Sequence, residues 1–242
     1  MSDSQVRTDP KLGDACLDVT SQLGAPDDTV PKNANFFSGW WGDFLKRTVD
    51  VCGASTLLVV LFPILIVIAI AVMSDRGSVV FGHPRIGRGG RTFLCLKFRS
   101  MVRNADQVLE KLLATDPQAR EEWNRDFKLK NDIRITPIGR ILRRTSLDEL
   151  PQLWNVLRGD MSLVGPRPVV RQELARYGPD VSYYLMLKPG ITGLWQISGR
   201  NNVDYPTRVS LDVCYAMNRS LVLDVTILLK TVKVVLEKDG AY

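Results

Sequence analysis

The longest apolar run in the chain covers residues 51–73 and contains no charged residue. It is long enough for a membrane helix, and it is apolar on every side of a helix, which is uncommon in a soluble domain of this size. Pro63 lies near its middle and predicts a kink, because proline lacks an amide donor and clashes with the carbonyl four residues earlier. A buried core helix is the alternative. A signal peptide fits poorly, since a polar segment with acidic groups precedes the run.

Basic residues flank the apolar run on both sides. Lys46 and Arg47 precede it, and Arg76, Arg85, Arg88 and Arg91 follow it. Positive residues prefer the cytoplasmic side of a membrane. We therefore favour a re-entrant helix, which bends at Pro63 and returns to the same face, over a single span. Trp40 and Trp41, just upstream, suit interfacial anchors or ordinary packing residues.

Beyond the membrane run, the apolar spacing predicts a short hairpin followed by helices. Residues 77–100 hold two apolar runs joined by Gly and Arg, which indicates a β-hairpin with its turn near Gly87–Gly90. Further helices are predicted over 101–130 with an interruption near Pro117, over 134–144 after a turn, from Pro151 to Leu157, over 171–186 and over 207–237, while 188–201 predicts loop and short extended structure. The apolar face of 207–237 suits either a membrane surface or packing against the domain.

These patterns predict an α+β fold that is mostly α-helical, with a re-entrant membrane helix, a small β-hairpin and amphipathic interfacial helices. Three segments follow along the chain. Residues 1–35 are polar without apolar periodicity and predict a disordered tail. Residues 36–76 are predicted to form the interfacial and re-entrant membrane helix, and 77–242 the domain that follows it.

Composition and charge narrow the chemistry. The chain has 242 residues and a net charge of +6, which suits an anionic membrane surface, a phosphate-bearing substrate or nucleic acid. The basic residues do not follow a helix with interleaved aromatics, so no nucleic acid is expected as a partner. The one histidine, His83, cannot build a histidine metal site or a Ser-His-Asp triad by itself. Any catalysis therefore rests on carboxylates and cations.

Two adjacent carboxylates, Asp148 and Glu149, stand just before Pro151 and an apolar run. Ser146 and Glu149 have the spacing of a capping box, in which a hydroxyl and a carboxylate bind the free amides of a helix start. A catalytic role is compatible with that position. A helix start favours anions, an ionised Asp can attack phosphorus, and Glu149 can hold Mg²⁺ together with phosphate oxygens.

Several basic residues lie where the backbone is constrained or beside the carboxylates. They are Lys97 and Arg99 at the end of the second predicted strand, Arg143 and Arg144 before the carboxylates, Arg167 between Pro166 and Pro168, and Arg200 after a glycine. Arginine pairs two donors with phosphate oxygens, and a rigid loop gives that pairing its geometry. Together these residues predict a polyanionic ligand.

Four stretches carry a resemblance to a known family: "KRTVDV" at 46–51, "RIGRGGRTFLCLKFRSM" at 85–101, "RITPIGRILRRTSLDELPQLWNVLRGDMSLVGPRP" at 134–168, and "KPGITGLWQISGRN" at 188–201. The chain resembles the bacterial sugar transferases, small monotopic polyprenyl-phosphate phosphoglycosyl transferases, over roughly residues 44–240. "FGHPRIG" and "YPTRV" are similar to the branch that primes exopolysaccharide with galactose phosphate, which points to UDP-galactose or UDP-glucose. Many members carry Gln where His83 stands, and we assign His83 no catalytic role.

The resemblance implies specific roles for residues of this chain. Asp148 is the nucleophile that takes a sugar phosphate from a UDP-sugar and releases UMP, after which undecaprenyl phosphate attacks the intermediate. Glu149 is associated with Mg²⁺. Pro166, Arg167 and Pro168 are associated with nucleotide-sugar binding, and Lys97, Arg99 and Arg200 match basic positions near the phosphates. We add Arg144 as a candidate substrate-binding residue.

The resemblance also implies an inner-membrane location in which 77–242 is the catalytic domain on the cytoplasmic face. The expected partners are the UDP-sugar, undecaprenyl phosphate, the lipid bilayer and the glycosyltransferases that act next; a homodimer stays open. Two competing hypotheses are transfer of the sugar alone, with release of a nucleoside diphosphate, and a non-enzymatic membrane-surface anchor or partner-binding protein. The sequence leaves the sugar and the polysaccharide undetermined.

Overall fold

The structure, a computed structural model, describes residues 40–73, 77–126, 129, 131–198 and 203–237. The tail predicted at 1–35 and Arg200 lie outside the described residues. In chain order the elements are α1 (Trp40–Val72), β1 (Val80–Ile86), β2 (Thr92–Phe98), α2 (Ala105–Thr115), α3 (Pro117–Asp126), α4 (Pro137–Thr145), α5 (Gln152–Arg158), β3 (Ser162–Val164), α6 (Val181–Met186), β4 (Gly190–Thr192), α7 (Leu194–Ile197), α8 (Tyr205–Asn218) and α9 (Leu221–Glu237). Short 3₁₀ helices cover Arg88–Gly90, Leu147–Glu149 and Arg171–Asp180.

The mostly helical fold and the predicted hairpin are confirmed. Strands β1 and β2 pair antiparallel, with Val80 opposite Phe98 at the open end and Ile86 opposite Thr92 at the turn. Gly89 has a φ of 69°, a left-handed conformation that glycine adopts without a steric penalty. A second sheet of two short parallel strands, β3 and β4, lies in the domain interior and was not predicted.

Helix α1 has 33 residues and continues through Pro63. Its length and its mean hydropathy of 3.0 across an 18-residue window would allow it to cross a membrane. Large apolar side chains along its middle are exposed: Val59, Val60, Phe62, Ile64, Ile66 and Val67. This middle segment is therefore the least covered part of the helix.

Polar side chains fasten the first third of α1 to the domain. Lys46 Nζ donates to Asp224 Oδ2 at 2.6 Å and to the Val164 carbonyl at 3.2 Å. The Arg47 guanidinium donates to two carbonyls in the last turn of α5, at 2.5 and 2.7 Å. Asp50, which is buried, accepts the amide of Leu163 at 3.0 Å. The orphan carbonyls of one helix end are thus satisfied by a cation from another helix.

The other end of α1 contacts the same domain. Ile68 and Val72 are buried in a cluster with Phe98 of β2 and Leu142 of α4. The Val72 carbonyl also accepts a hydrogen bond from Arg99 Nη2 at 3.0 Å. Both ends of the apolar helix therefore pack on one globular body, with the exposed middle between them.

The largest core cluster lies around the parallel sheet. It combines Leu163 and Val164 of β3 with side chains of α5, α7, α8 and α9, among them Val156, Trp195 and Ile227. Tyr215 of α8 is 2 % exposed and donates from its hydroxyl to Asp224 Oδ1 at 2.7 Å. Asp224 thus links Lys46 of α1 to a side chain of the core.

Two predicted helices differ from the structure. The segment 207–237 is two helices, α8 and α9, and the Ser220 hydroxyl accepts the Leu223 amide at 3.1 Å at the start of α9. The segment 171–186 begins as a 3₁₀ helix with a left-handed Gly178 followed by Pro179, and becomes α-helical only at Val181. In both cases a local turn residue interrupts an apolar period that continues across it.

The apolar stripe of α9 points away from the domain. Val222, Val225, Leu229 and Val232 are between 49 % and 77 % exposed. Their spacing of three and four residues places them on one side of the helix. The opposite side, with Asp224 and Ile227, is buried.

The Lys46–Asp224 pair predicts a stability effect. We expect Asp224→Asn to destabilise the folded chain by about 3 kcal/mol, because it leaves a largely buried ammonium without its counter-charge. Thermal unfolding in detergent, compared with Asp106→Asn on exposed α2, measures the effect. An equal melting temperature for the two variants would contradict the assigned role.

Candidate active site

A tight turn between α4 and α5 places the two carboxylates. Helix α4 ends at Ser146, whose φ of 57° is left-handed and whose amide returns to the carbonyls of Leu142 and Arg143. The 3₁₀ turn that follows carries Asp148 and Glu149. The capping box predicted for Ser146 and Glu149 is wrong, because the hydroxyl makes no capping bond and the Glu149 carboxylate is bonded to Lys97 instead.

Glu149 is ionised by its surroundings. Lys97 Nζ on β2 donates to Glu149 Oε1 at 2.6 Å. Burial alone would raise the pKa of Glu149, but the charge and hydrogen bond of Lys97, followed by the charges of Arg167 and Arg85, lower it below its ordinary value. Strand β2 of the hairpin thus supplies the cation, Lys97, that stabilises the Glu149 carboxylate in the turn.

Asp148 is the more deeply buried of the two carboxylates, at 7 % exposure. Burial raises its pKa to about 6, with a further increase from the adjacent Glu149, while Lys97 and Arg143 oppose the shift. Its charge is therefore present at neutral pH but costs free energy to maintain. Such a carboxylate is a typical candidate for a reactive group.

Arg143 lies beside the site, and Arg144 does not line it. The Arg143 Nε donates to the Ser100 hydroxyl at 2.8 Å, and its side chain lines the cleft with Asp148. Arg144 is exposed on α4. Consecutive side chains on an α-helix point about 100° apart, so the sequence alone could not indicate whether Arg143 or Arg144 faces the carboxylates. Arg99 also lines the cleft, and it additionally bonds the end of α1.

The Pro-Arg-Pro loop is held against the hairpin. The Ile86 amide donates to the Val169 carbonyl at 2.9 Å, and the buried Tyr184 hydroxyl both donates to the Ile86 carbonyl at 2.6 Å and accepts the Val169 amide at 3.1 Å. These bonds hold Arg167 close to the strands that carry Lys97. Tyr184 is a positioning residue, and no local sequence pattern indicates this role.

The backbone of the Pro-Arg-Pro loop also lies very close to the backbone of β4. A side chain on Gly190 would overlap with the backbone of Gly165, just before the Pro-Arg-Pro segment. The Gly190 amide donates to the Pro166 carbonyl at 2.8 Å, and Pro166 and Pro168 are both buried. Glycine at both crossing points lets β4 and the loop approach closely.

One open cleft of about 2500 Å³ connects these groups. It is lined by both carboxylates and by Lys97, Arg85, Arg99, Arg143, Arg167, Pro168, Arg176, Trp195, Tyr205 and Arg208. Six of the predicted site residues, Asp148, Glu149, Lys97, Arg99, Arg167 and Pro168, thus share the cleft with Arg85, Trp195 and Arg208, to which the sequence analysis assigned no role in the site. The arrangement provides a buried carboxylate with a raised pKa, a second carboxylate and cations suited to phosphates.

Comparison with known proteins decides the family. The model of the bacterial sugar transferase family matches residues 41–238. The chain belongs to the bacterial sugar transferase family. It is 61 % identical over 82 % of its length to the UDP-galactose-lipid carrier transferase of Erwinia amylovora and 60 % identical over 82 % to the undecaprenyl-phosphate galactose phosphotransferase of Salmonella typhimurium. It is 50 % identical over 83 % to the exopolysaccharide production protein ExoY of Rhizobium meliloti.

The extent of the match differs between these relatives. The chain spans 42 % of the length of the Erwinia and Salmonella proteins but 89 % of ExoY. The family resemblance inferred from the motifs is thus confirmed. The homologous region contains the carboxylate turn, the hairpin and the Pro-Arg-Pro loop of this sugar transferase.

The opposite pKa shifts predict opposite pH effects on stability. Asp148 binds its proton more tightly when folded, so its ionisation destabilises the folded chain as pH rises from 4 to 7, by up to about 3 kcal/mol. We expect Asp148→Asn to raise the melting temperature relative to wild type more at pH 7.5 than at pH 4.5.

Glu149→Gln supplies the matched comparison, because the pKa of Glu149 is lowered in the fold. Its stabilising charge is lost only as pH falls below 4.5, through the lowered pKa of the folded chain, so this variant should lose most stability at pH 7.5 and least at about pH 3. Both series are measured by thermal unfolding with EDTA present. The same pH trend in both variants would contradict the assigned electrostatics.

Proposed function

We propose that the chain transfers a sugar 1-phosphate from a UDP-sugar to undecaprenyl phosphate and releases UMP. The observation that carries the proposal is the buried Asp148 next to Glu149 and Lys97, in a cleft lined with arginines. Relatives named for undecaprenyl-phosphate galactose phosphotransfer and exopolysaccharide production support the substrates. The product is then the primer on which further glycosyltransferases build an exopolysaccharide.

In the first step, a carboxylate oxygen of Asp148 attacks the sugar-bearing phosphorus of the donor. The new O–P bond forms as the bond from that phosphorus to the bridging oxygen breaks, and the electron pair leaves with UMP. In the second step, an oxygen of undecaprenyl phosphate attacks the same phosphorus. The aspartyl–phosphorus bond breaks, and Asp148 returns as a carboxylate.

Lys97 and Arg143 hold Asp148 ionised against its burial, and Arg167 pairs with the phosphate charge of the donor. A nucleophile with a pKa of about 6 is both ionised and basic enough to react at neutral pH. Glu149 does not compete for the role, since its Oε1 is bonded to Lys97.

The donor chemistry of the turn fits Mg²⁺, which takes one or two carboxylates together with substrate phosphate oxygens. Glu149 Oε2 is the oxygen that we assign to the cation, because Oε1 accepts Lys97. The ion, when bound, would neutralise phosphate charge. A lowered pKa keeps Glu149 ready for such binding.

We further propose that α1 enters and leaves the cytoplasmic face of the inner membrane. Its two ends pack on the same domain, through Asp50 at one end and Val72 at the other, while apolar residues of its middle are exposed. A single span would place the second end across the bilayer from the domain that it contacts. The exposed stripe of α9 supports a second contact with the lipid surface.

A nucleotide-release assay tests the activity. Full-length protein in detergent, with undecaprenyl phosphate, Mg²⁺ and a panel of UDP-sugars, should release UMP with UDP-galactose or UDP-glucose. We expect Asp148→Asn to lower the rate by about a thousandfold or more, because the nucleophile is lost. Glu110→Gln is the control, because Glu110 is an exposed carboxylate on α2 that does not line the cleft. Release of UDP would instead indicate transfer of the sugar alone, and an active Asp148→Asn variant would exclude the covalent route.

Cysteine labelling tests the path of α1. Trp41→Cys and Met73→Cys replace exposed residues near its two ends, which are 72 % and 56 % exposed. We expect an impermeant maleimide to label both introduced cysteines in inside-out vesicles and neither in spheroplasts. Labelling of the parent chain, measured in parallel, gives the background from its own cysteines. Labelling of the two positions from opposite sides would establish a single span.

A further inference from the structure

A second cationic group in the cleft is organised around one indole ring. Trp195 on α7 is 3 % exposed. The Cζ atom of Arg208 lies 4.8 Å from the ring centroid, and that of Arg167 lies 5.7 Å from it. Both distances are typical of cation–π interactions, so one buried ring positions two guanidinium groups. Arg167 has an assigned role in the proposed function, whereas Arg208 has none.

The arginines in this region repel one another. Burial, and next the charge of Arg167, lower the pKa of both Arg85 and Arg208. Arg85 has Glu173 at 3.6 Å, but no carboxylate in the described part of the chain pairs with Arg167. Grouping like charges away from bulk water costs free energy, which a bound polyanion offsets. The cluster is therefore built for an anionic ligand rather than for stability.

Arg208 is fixed in place before any ligand binds. It lies in the first turns of α8, and its Nε donates to the Val203 carbonyl at 2.8 Å. The start of α8 is itself secured, because Asp204 Oδ1 accepts the Thr207 amide at 3.0 Å. A guanidinium held by its backbone contact and by Trp195 loses little conformational entropy on binding.

Arg167 lines the cleft together with the two carboxylates and Arg208. Its charge acts on Glu149 in one direction and on Arg208 in the other. The phosphorus that reacts must lie at Asp148. The rest of a nucleotide-sugar donor, which is its nucleoside monophosphate half, must then occupy the remainder of the cleft, which Arg167 and Arg208 line.

We propose that Arg208, positioned on Trp195, binds the nucleoside monophosphate half of the donor and stabilises it as the leaving group. This inference rests on the proposed function. When the bond from the reacting phosphorus to the bridging oxygen breaks, that oxygen leaves with the nucleoside monophosphate and its phosphate gains one negative charge. A fixed guanidinium at that phosphate favours the transition state over the bound donor. The second step, transfer from Asp148 to the lipid phosphate, does not involve this half.

The experiment compares Arg208→Ala, Arg208→Lys and the wild type, with Arg171→Ala as the control because Arg171 is an exposed arginine that does not line the cleft. UMP binding to the full chain in detergent is measured by calorimetry, which requires no turnover. Donor kinetics and transfer from the preformed intermediate to undecaprenyl phosphate are measured separately. Unfolding temperatures are recorded for all four proteins.

We expect Arg208→Ala to weaken UMP binding by about 10- to 100-fold, since a charged hydrogen bond is lost. The kcat/KM for the donor should fall by at least as much, whereas transfer from the intermediate to the lipid phosphate should stay within twofold of wild type. Arg208→Lys should have a UMP affinity and a kcat/KM between those of Arg208→Ala and the wild type, and Arg171→Ala should match the wild type. Weaker UMP binding at an unchanged unfolding temperature separates a ligand contact from a purely structural role.

Unchanged UMP affinity in Arg208→Ala would overturn the inference, as would an equal loss in both half-reactions. If Arg208→Ala does not fold, Arg208→Lys decides, and wild-type UMP affinity in that variant would equally overturn it. The proposed function fails independently. A wild type that binds UMP through Arg208 but releases none from any UDP-sugar would retain this subsite and refute the transfer.

Discussion

The polar attachment of α1 to strand β3 and helix α5 is the constraint from which the rest of the structure follows. A helix that is apolar on all sides has no preferred rotation against a lipid or a core. Lys46 and Asp50 fix that rotation, because they bind the backbone of Val164 and Leu163 in β3. The Pro-Arg-Pro loop begins two residues after Val164. The apolar helix α1 and the Pro-Arg-Pro loop are therefore both positioned by the same three-residue strand, so a few hydrogen bonds set the place of the cleft relative to α1.

The two carboxylates show how one turn gives adjacent groups different chemistry. Glu149 points to Lys97 and is stabilised as an anion, while Asp148 is buried and holds its charge at a cost. Environments that move two pKa values apart are typical of acid–base and nucleophilic pairs. The free-energy cost of the buried Asp148 charge is carried by the turn between α4 and α5. This turn is fixed at both ends, by the left-handed backbone of Ser146 and by α5. A more flexible turn would relax by exposing Asp148, and the pKa of Asp148 would return towards its ordinary value.

Local patterns predicted much of the fold, and contacts between distant segments account for what they missed. The hairpin and the interruption at Pro117 follow from glycine, proline and apolar spacing, which act over a few residues. The parallel pairing of β3 with β4 joins residues 28 positions apart by its register, Ser162 with Gly190, and no local period encodes it. The site behaves in the same way. Asp148 and Glu149 were found from adjacency and family motifs, whereas Tyr184 and Arg208 acquire their roles only when the chain folds. The choice of Arg143 over Arg144 as the cleft residue likewise depends on which side of α4 is buried.

Aromatic support for the cleft arginines has a physical reason. Arg134, which also lines the cleft, pairs with Asp132 at 2.7 Å and lies 5.1 Å from the centroid of the Trp123 ring. Such a pair is stable, but its anion would compete with phosphate for the guanidinium donors. In the cleft, Trp195 supports Arg167 and Arg208, and Tyr205 has Arg176 at 4.8 Å. An aromatic face restrains a cation without neutralising it, so the positive potential remains available to a ligand. Arg134 has a carboxylate in addition to a ring, whereas Arg167 has a ring and no carboxylate partner among the described residues, so the charge of Arg167 is available to a phosphate.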